Sequence, residues 1–290
     1  MPGNQNKFRF LVIAIAVAII ASVLLASSRQ SSEPQLNGRP LSFYLDRQTY
    51  GELRTERDAR ESIRDFGTNA LPLLIDILNA RESRLKVMLR EIAQSQSVIR
   101  FRFTPLYIRQ SQAALACQEL GPLAAPAIPA LTRFVDDPAL AAAALSALAM
   151  IGPETFPILT NALWSGIPPA RIEAAGVLRY MQPRVLPLPA LMHALRDPIA
   201  AVRANAASSL GFLASEPATV VPALMKCLDD PDASVRASAV QGLGWLKAHA
   251  KPAIPRLLEL ERTEEGTSFG QKITEALNSI AGDGAVPQEP

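Results

Sequence analysis

Two histidines, two cysteines and 6% aromatic residues are a thin stock of reactive side chains for a chain of 290 residues. Cys117 and Cys227 belong to no CxxC and have no histidine beside them, which excludes the usual zinc and dithiol spacings. Both read as small buried thiols, the commonest fate of an unpaired cysteine. The net charge of +2 lacks the single-signed footprint of a nucleic-acid binder. No GxSxG, HExxH, phosphate loop or dinucleotide fingerprint occurs. Catalytic residues, cofactors and metal ligands are therefore expected to be absent.

Apolar residues are plentiful, at 49%, and with so few aromatics they are mostly Ala, Leu, Ile and Val, a composition that favours helices. The first block of them is a targeting segment. Lys7 and Arg9 precede an uncharged run from Phe10 to Ala26, about 25 Å long as a helix, and Ser27 and Ser28 can complete a span of a roughly 30 Å hydrocarbon layer. The run exceeds the apolar region of an ordinary signal peptide and no Cys follows it for lipidation. Residues 1–28 read as an uncleaved signal anchor, with a cleaved signal peptide as the second reading. The basic flank predicts a cytoplasmic N-terminus and an extracytoplasmic, periplasmic remainder.

Past a polar spacer with a short leading helix (29–55), the chain repeats itself. The phrase "P-x-L" heads six segments, at Pro72, Pro129, Pro157, Pro189, Pro222 and Pro255, the last five spaced 28, 32, 33 and 33 residues apart. Two residues after each proline stands Leu: Leu74, Leu131, Leu159, Leu191, Leu224 and Leu257. Six after it come Leu78, Val135, Leu163, Leu195 and Leu228, with Glu261 breaking the column. An apolar i, i+4 pair repeated in this way is one buried helix face. The proline is expected at the first helical position, where a missing N–H costs nothing. Ala-rich helices precede these, with Arg171, Arg203 and Arg236 in register and Leu178, Leu210 and Leu243 seven residues on. Helix pairs that bury their faces only against neighbouring pairs make an all-α solenoid. Six hairpins and a closing half-repeat, "SFGQKITEALNSIAG", are expected over 56–282, with 283–290 a loose tail.

The frame "D-P-x-x-x-V-R…A…L…P-A-L-x-x-x-L-x-D" resembles the HEAT repeat family in its short bacterial form. In that family an Asp in the turn and an Arg six residues later link adjacent repeats. The resemblance thus implies structural roles for Asp197 with Arg203 and for Asp230 with Arg236; Ala143 and Ser165 depart from the pattern. "GRPLSFYL", "GTNALPLL" and "IRFRFTP" are also similar to membrane-anchored bacterial HEAT proteins, a resemblance that brings no activity with it.

Candidate binding residues come from the polar column four places after each proline and from departures from the repeat. The column reads Asp76, Arg133, Asn161, His193, Lys226 and Glu259. His193 lacks an oriented partner in sequence, which argues against a catalytic base. The segment 81–104 carries six basic residues against two acidic, and its "IRFRF" alternates Arg100 and Arg102 with apolar residues. It is either a connector or a docking element for an acidic partner or lipid headgroups. Trp164 stands seven after its proline, where other copies have Asn79, Asp136, Arg196, Asp229 and Arg262. It is either a cover for the turn "SGIPPA" or an interface anchor. Tyr180, Phe212 and Trp245, one per repeat, read as inter-repeat packing. The leading functional reading is a membrane-tethered scaffold, not an enzyme, holding another protein on a concave face through Trp164, Arg100, Arg102, Arg133, Asn161, His193 and Lys226. The alternative that the resemblance allows is a HEAT-like enzyme of the bilin-lyase or DNA-glycosylase type.

Overall fold

The computed structural model describes residues 33–50, 53–82, 104–181 and 188–282. The apolar run Phe10 to Ala26, the tail 283–290 and most of the basic segment, with Arg100 and Arg102, lie outside the described residues. Among the described residues no helix is long and apolar enough to cross a membrane. Apart from one small hairpin the described secondary structure is helical, and it forms two compact units, the first ending at Leu73 and the second beginning at Leu74.

In the first unit, strands β1 (Gln35–Leu36) and β2 (Arg39–Pro40) pair antiparallel across Asn37-Gly38. Both turn residues have positive φ, 52° and 71°, the backbone that matches the twist of a two-residue hairpin. Helix α1 (Leu41–Tyr50) buries Leu41, Tyr44 and Leu45, a helical i, i+3, i+4 stripe. Helix α2 (Leu53–Phe66) answers with Ala59, Ile63 and Phe66. The Tyr44 ring meets Phe66 edge-on at 5.6 Å, and its hydroxyl donates to the Leu36 carbonyl at 2.9 Å. One aromatic side chain thus joins hairpin and helices.

The second unit stacks helical pairs. Its A helices are α4 (Leu106–Leu120), α6 (Ala141–Ile151), α8 (Pro168–Val177), α10 (Ala200–Leu213), α12 (Ala233–Trp245) and the closing α14 (Ser268–Ala281). Its B helices are α5 (Ile128–Thr132), α7 (Phe156–Ala162), α9 (Leu188–Ala194), α11 (Pro217–Cys227) and α13 (Ile254–Thr263), together with the end of α3 (Leu71–Asn79). Successive A helices pack on one another. All six leucines two places after the repeat prolines are fully buried, at 0% exposure, so this column is the axis of the core. Leu178, Leu210, Leu243, Ala174, Ala206 and Ala239 bury the A side.

The prolines sit one place deeper than the first helical position. Five of the six B helices begin at the residue before the proline. The second N–H of a helix is unpaired as well, so the cost stays nil. Pro222 differs, lying inside α11, which begins at Pro217. Helices α10 and α12 approach closely: a Cβ added to Gly211 would lie 2.2 Å from the Gly242 Cα. Polar bonds cross the A layer too. Asn205 donates to the Ile172 carbonyl at 2.8 Å and the Ser209 hydroxyl to Ala175 at 2.6 Å.

Candidate functional site

Two lines of contact join successive repeats, and they separate structural residues from candidate binding residues. The first runs through the turns that lead into the A helices. Arg203 donates one guanidinium nitrogen to the carbonyl of Asp197 in its own turn, at 2.9 Å. Its Nε and Nη2 then clasp the carboxylate of Asp230 in the next turn, at 2.8 and 2.7 Å. Arg171 does the same one repeat earlier, with the Ser165 carbonyl at 2.9 Å and the Asp197 carboxylate at 2.8 Å. The ion pairs are therefore Arg171 with Asp197 and Arg203 with Asp230, offset by one repeat from the pairing that the resemblance implied. An Arg six residues after an Asp lies in the same turn and reaches only its carbonyl; its fork faces the following repeat. Arg236 continues the pattern on the Asp230 carbonyl at 3.0 Å.

Each turn aspartate also accepts backbone N–H groups, as Asp197 does from Ile199 and Asp230 from Asp232, at 2.8 and 2.9 Å. The Arg203 fork holds the Asp230 carboxyl below the usual aspartate range, and Asp230 in turn raises the Arg203 guanidinium. Ser165 imitates the aspartate: its hydroxyl accepts from Ile167 at 3.2 Å and donates to Asp136 at 2.5 Å. Asp137 accepts from Ala139 and Leu140 in the same way.

The second line runs along the B helices. The polar column Asp76, Arg133, Asn161, His193, Lys226 and Glu259 is exposed in every copy. Two of its members, Arg133 and His193, meet the residue seven places after the proline in the preceding repeat, and a third such residue, Asp229, is met by Arg256 instead. Arg133 donates to the Asn79 side chain at 2.9 Å. Arg256, beside Glu259 at 2.5 Å, reaches back to Asp229 at 2.6 Å. Trp164 and His193 occupy the same two places, with ring centroids 4.1 Å apart. Trp164 is thus an aromatic version of a contact that other repeats make with polar groups, a role that its place in the sequence did not reveal. It remains 58% exposed and borders a cleft of about 610 Å³ with Val135, Asp136, Ile158 and Asn161. In the following copy the two places hold Arg196 and Lys226, both exposed and both basic.

The expected aromatic row is only partly packing. Phe212 and Trp245 touch edge-on at 5.6 Å, and Arg179 lies over Tyr180 at 4.8 Å while donating to Ser208. All three rings nevertheless keep large exposed faces, and Met150 extends the row by one repeat. His249 is exposed in the turn Lys247–Ala253. Both thiols are buried, and burial pushes Cys117 up to about 12 and Cys227 up to about 11, so neither is a nucleophile at neutral pH. Among the described residues no group of three His, Cys, Asp or Glu could hold a metal ion.

Residues 188–278 match the HEAT repeat family. No protein of curated function matches the chain. Among solved structures, the chain is similar to the complex of CpcE and CpcF of phycocyanin lyase from Nostoc sp. PCC7120, at 19% identity over 86% of this chain and 96% of that one, with a TM-score of 0.42. A designed armadillo repeat protein in complex with the peptide (KR)4 is 18% identical over 83% and 99%, with a TM-score of 0.37. Human deoxyhypusine hydroxylase in complex with glycerol is 17% identical over 83% and 84%, with a TM-score of 0.34. Likeness at this level carries neither an activity nor a partner to the chain. The family match falls on the repeats where the Leu column, the Ala-rich A helices and the Arg203–Asp230 clasp are most regular, and residues 188–278 are HEAT repeats.

Proposed function

We propose that the protein is a membrane-tethered, extracytoplasmic scaffold without catalytic activity, whose B-helix ends hold another protein. Trp164 carries this reading. A large aromatic ring, more than half exposed, lies tilted against His193 beside a cleft, where the copies on either side expose charged groups. Aromatic anchors bordered by polar groups are what protein interfaces use at their centres. Arg133, Asn161, His193 and Lys226 supply the polar border, and the basic sequence around Arg100 and Arg102 is a further candidate contact with the same partner. The tether is the run Phe10 to Ala26, oriented by Lys7 and Arg9.

The test is comparative capture from membranes. Full-length protein and its Trp164→Ala variant are crosslinked in cells and the captured proteins identified by mass spectrometry. A partner recovered with the first and lost with the second, at equal melting temperature, is the expected result. Equal recovery removes Trp164 as the anchor. A turnover that depends on His193 would make the protein an enzyme and end the scaffold reading.

A further inference from the structure

We propose that Arg236 and Lys272 form a carboxylate-binding site at the last full repeat, one that takes an aspartate side chain from another polypeptide. The site is separate from the Trp164 surface and does not depend on it. Its ligand class is read from the molecule itself. In two preceding repeats the same arginine, fixed by a carbonyl of its own turn, turns its Nε and Nη2 onto an aspartate carboxylate of the next turn. Arg236 is fixed as firmly, by the carbonyls of Asp230 and Pro231 at 3.0 and 3.1 Å, and its guanidinium lies over the Phe269 ring at 5.8 Å. The fork is thus set before any ligand arrives, which is what makes bidentate carboxylate recognition favourable.

The next turn does not supply the carboxylate. The position in register with Asp197 and Asp230, two before the helix cap, is Glu265, which is exposed. Glu264 accepts from the Thr267 hydroxyl at 3.3 Å. Among the described residues Arg236 forms no ion pair, and its Nε and Nη2 have no hydrogen-bond partner. Instead the guanidinium borders a cleft of about 420 Å³, lined also by Ser234, Glu264, Ser268, Phe269 and Lys272. Lys272, one turn into α14, is exposed and adds a second positive charge. The N-terminal ends of α12 and α14 both open on this cleft, and their dipoles favour an anion there. Glu264 sets the limit: a single carboxylate is tolerated beside it, whereas a dianion meets stronger repulsion.

The probe is the N-acetylated, C-amidated hexapeptide DPDASV, the chain's own turn from Asp230 to Val235, against its uncharged analogue NPNASV, likewise acetylated and amidated, each titrated into the full-length protein and followed by NMR. The Arg236 Nε–H and the Phe269 and Lys272 amides should shift saturably with the first peptide, and the second should bind at least about tenfold more weakly. Arg236→Gln should weaken the first peptide by about tenfold or more, Lys272→Gln by about threefold, and Glu264→Gln should tighten it. Equal affinity of the two peptides, or an unmoved Arg236 Nε–H, overturns the site on wild-type protein alone, whatever the variants do to folding. One control distinguishes the source of the carboxylate. Full-length protein carrying Asp283→Asn and Glu289→Gln should bind the peptide unchanged; a tenfold gain would overturn the external ligand and put the carboxylate in the chain's own tail.

Discussion

Asp229 and Asp230 are adjacent in sequence and belong to different kinds of contact. Asp230 is 13% exposed, clasped by Arg203 from the preceding repeat, and the contact recurs in the same geometry at Asp197. Asp229 is 63% exposed, held by Arg256, and its equivalents in other copies are Asn79, Asp136, Trp164 and Arg196. Where the turn line forms its clasp, at Asp197 and Asp230, it keeps one chemistry and hides it. The B-helix line changes chemistry at each step and shows it to solvent. A contact that only joins repeats is served by the same residues each time; the varied line is free to be shaped for a partner.

The core beneath both lines sets the scale of the largest effects. Leu224→Ala should cost about 2–5 kcal/mol as a cavity at a fully buried site. Gly211→Ala should cost about 2 kcal/mol or more, because the added methyl meets the Gly242 backbone rather than a movable side chain, and the gain in helix propensity offsets only about 1 kcal/mol of that. Urea unfolding of both variants checks this. A Gly211→Ala protein as stable as wild type would mean that α10 and α12 can separate at no cost.

The next effect tests the comparison directly. Asp230→Ala should cost about 1–3 kcal/mol, since it leaves a mostly buried guanidinium without its acceptor, whereas Asp229→Ala should cost about 0–1 kcal/mol. Equal losses from the two neighbours would erase the distinction between the lines. Acid sharpens it. The folded state holds the Asp230 carboxyl below its ordinary value, so the unfolded chain takes up the proton first as pH falls. The clasp therefore contributes in full above the ordinary aspartate value of about 3.9 and fades as pH drops through the lowered one. The difference in melting temperature between wild type and Asp230→Ala should hold steady from about pH 7 to 5 and narrow below about pH 4. A gap that persists undiminished in stronger acid would show that the loss is packing rather than charge.

What the sequence disclosed follows from what a repeat displays. The Leu column from Leu74 to Leu257 was legible because one buried place recurs with one residue type. Asp197, Arg203, Asp230 and Arg236 stood out for the same reason, yet their pairing did not, because direction along a stack is a three-dimensional fact. Gly211 and Gly242 fall at different register positions, so no column of the repeat displays them, and only the crossing of two helices brings them together. The hairpin at Asn37-Gly38 lies in the segment 29–55 that reads as a polar spacer and leading helix, because strands of two residues carry no alternation to display. Trp164 could be recognised as odd in its column, but its partner His193 lies 29 positions on and is ordinary in its own.

The smallest stability effect is expected where the functional one is largest. Trp164→Ala removes a ring that is more than half exposed and whose described aromatic contact is with an exposed histidine. The loss should stay within about 1 kcal/mol, near the value of a single aromatic pair. His193→Ala removes the other half of the same ring pair and should cost no more. If the two act only on each other, the double variant costs less than the sum of the singles, as coupled neighbours do. Binding should separate them: Trp164→Ala abolishes capture of the partner, whereas His193→Ala weakens it by letting the indole lose its fixed orientation. A Trp164→Ala protein that melts several degrees lower yet captures the partner as before would assign the ring to covering the turn Ser165–Gly166–Ile167. The B-helix line would then be as purely structural as the buried one.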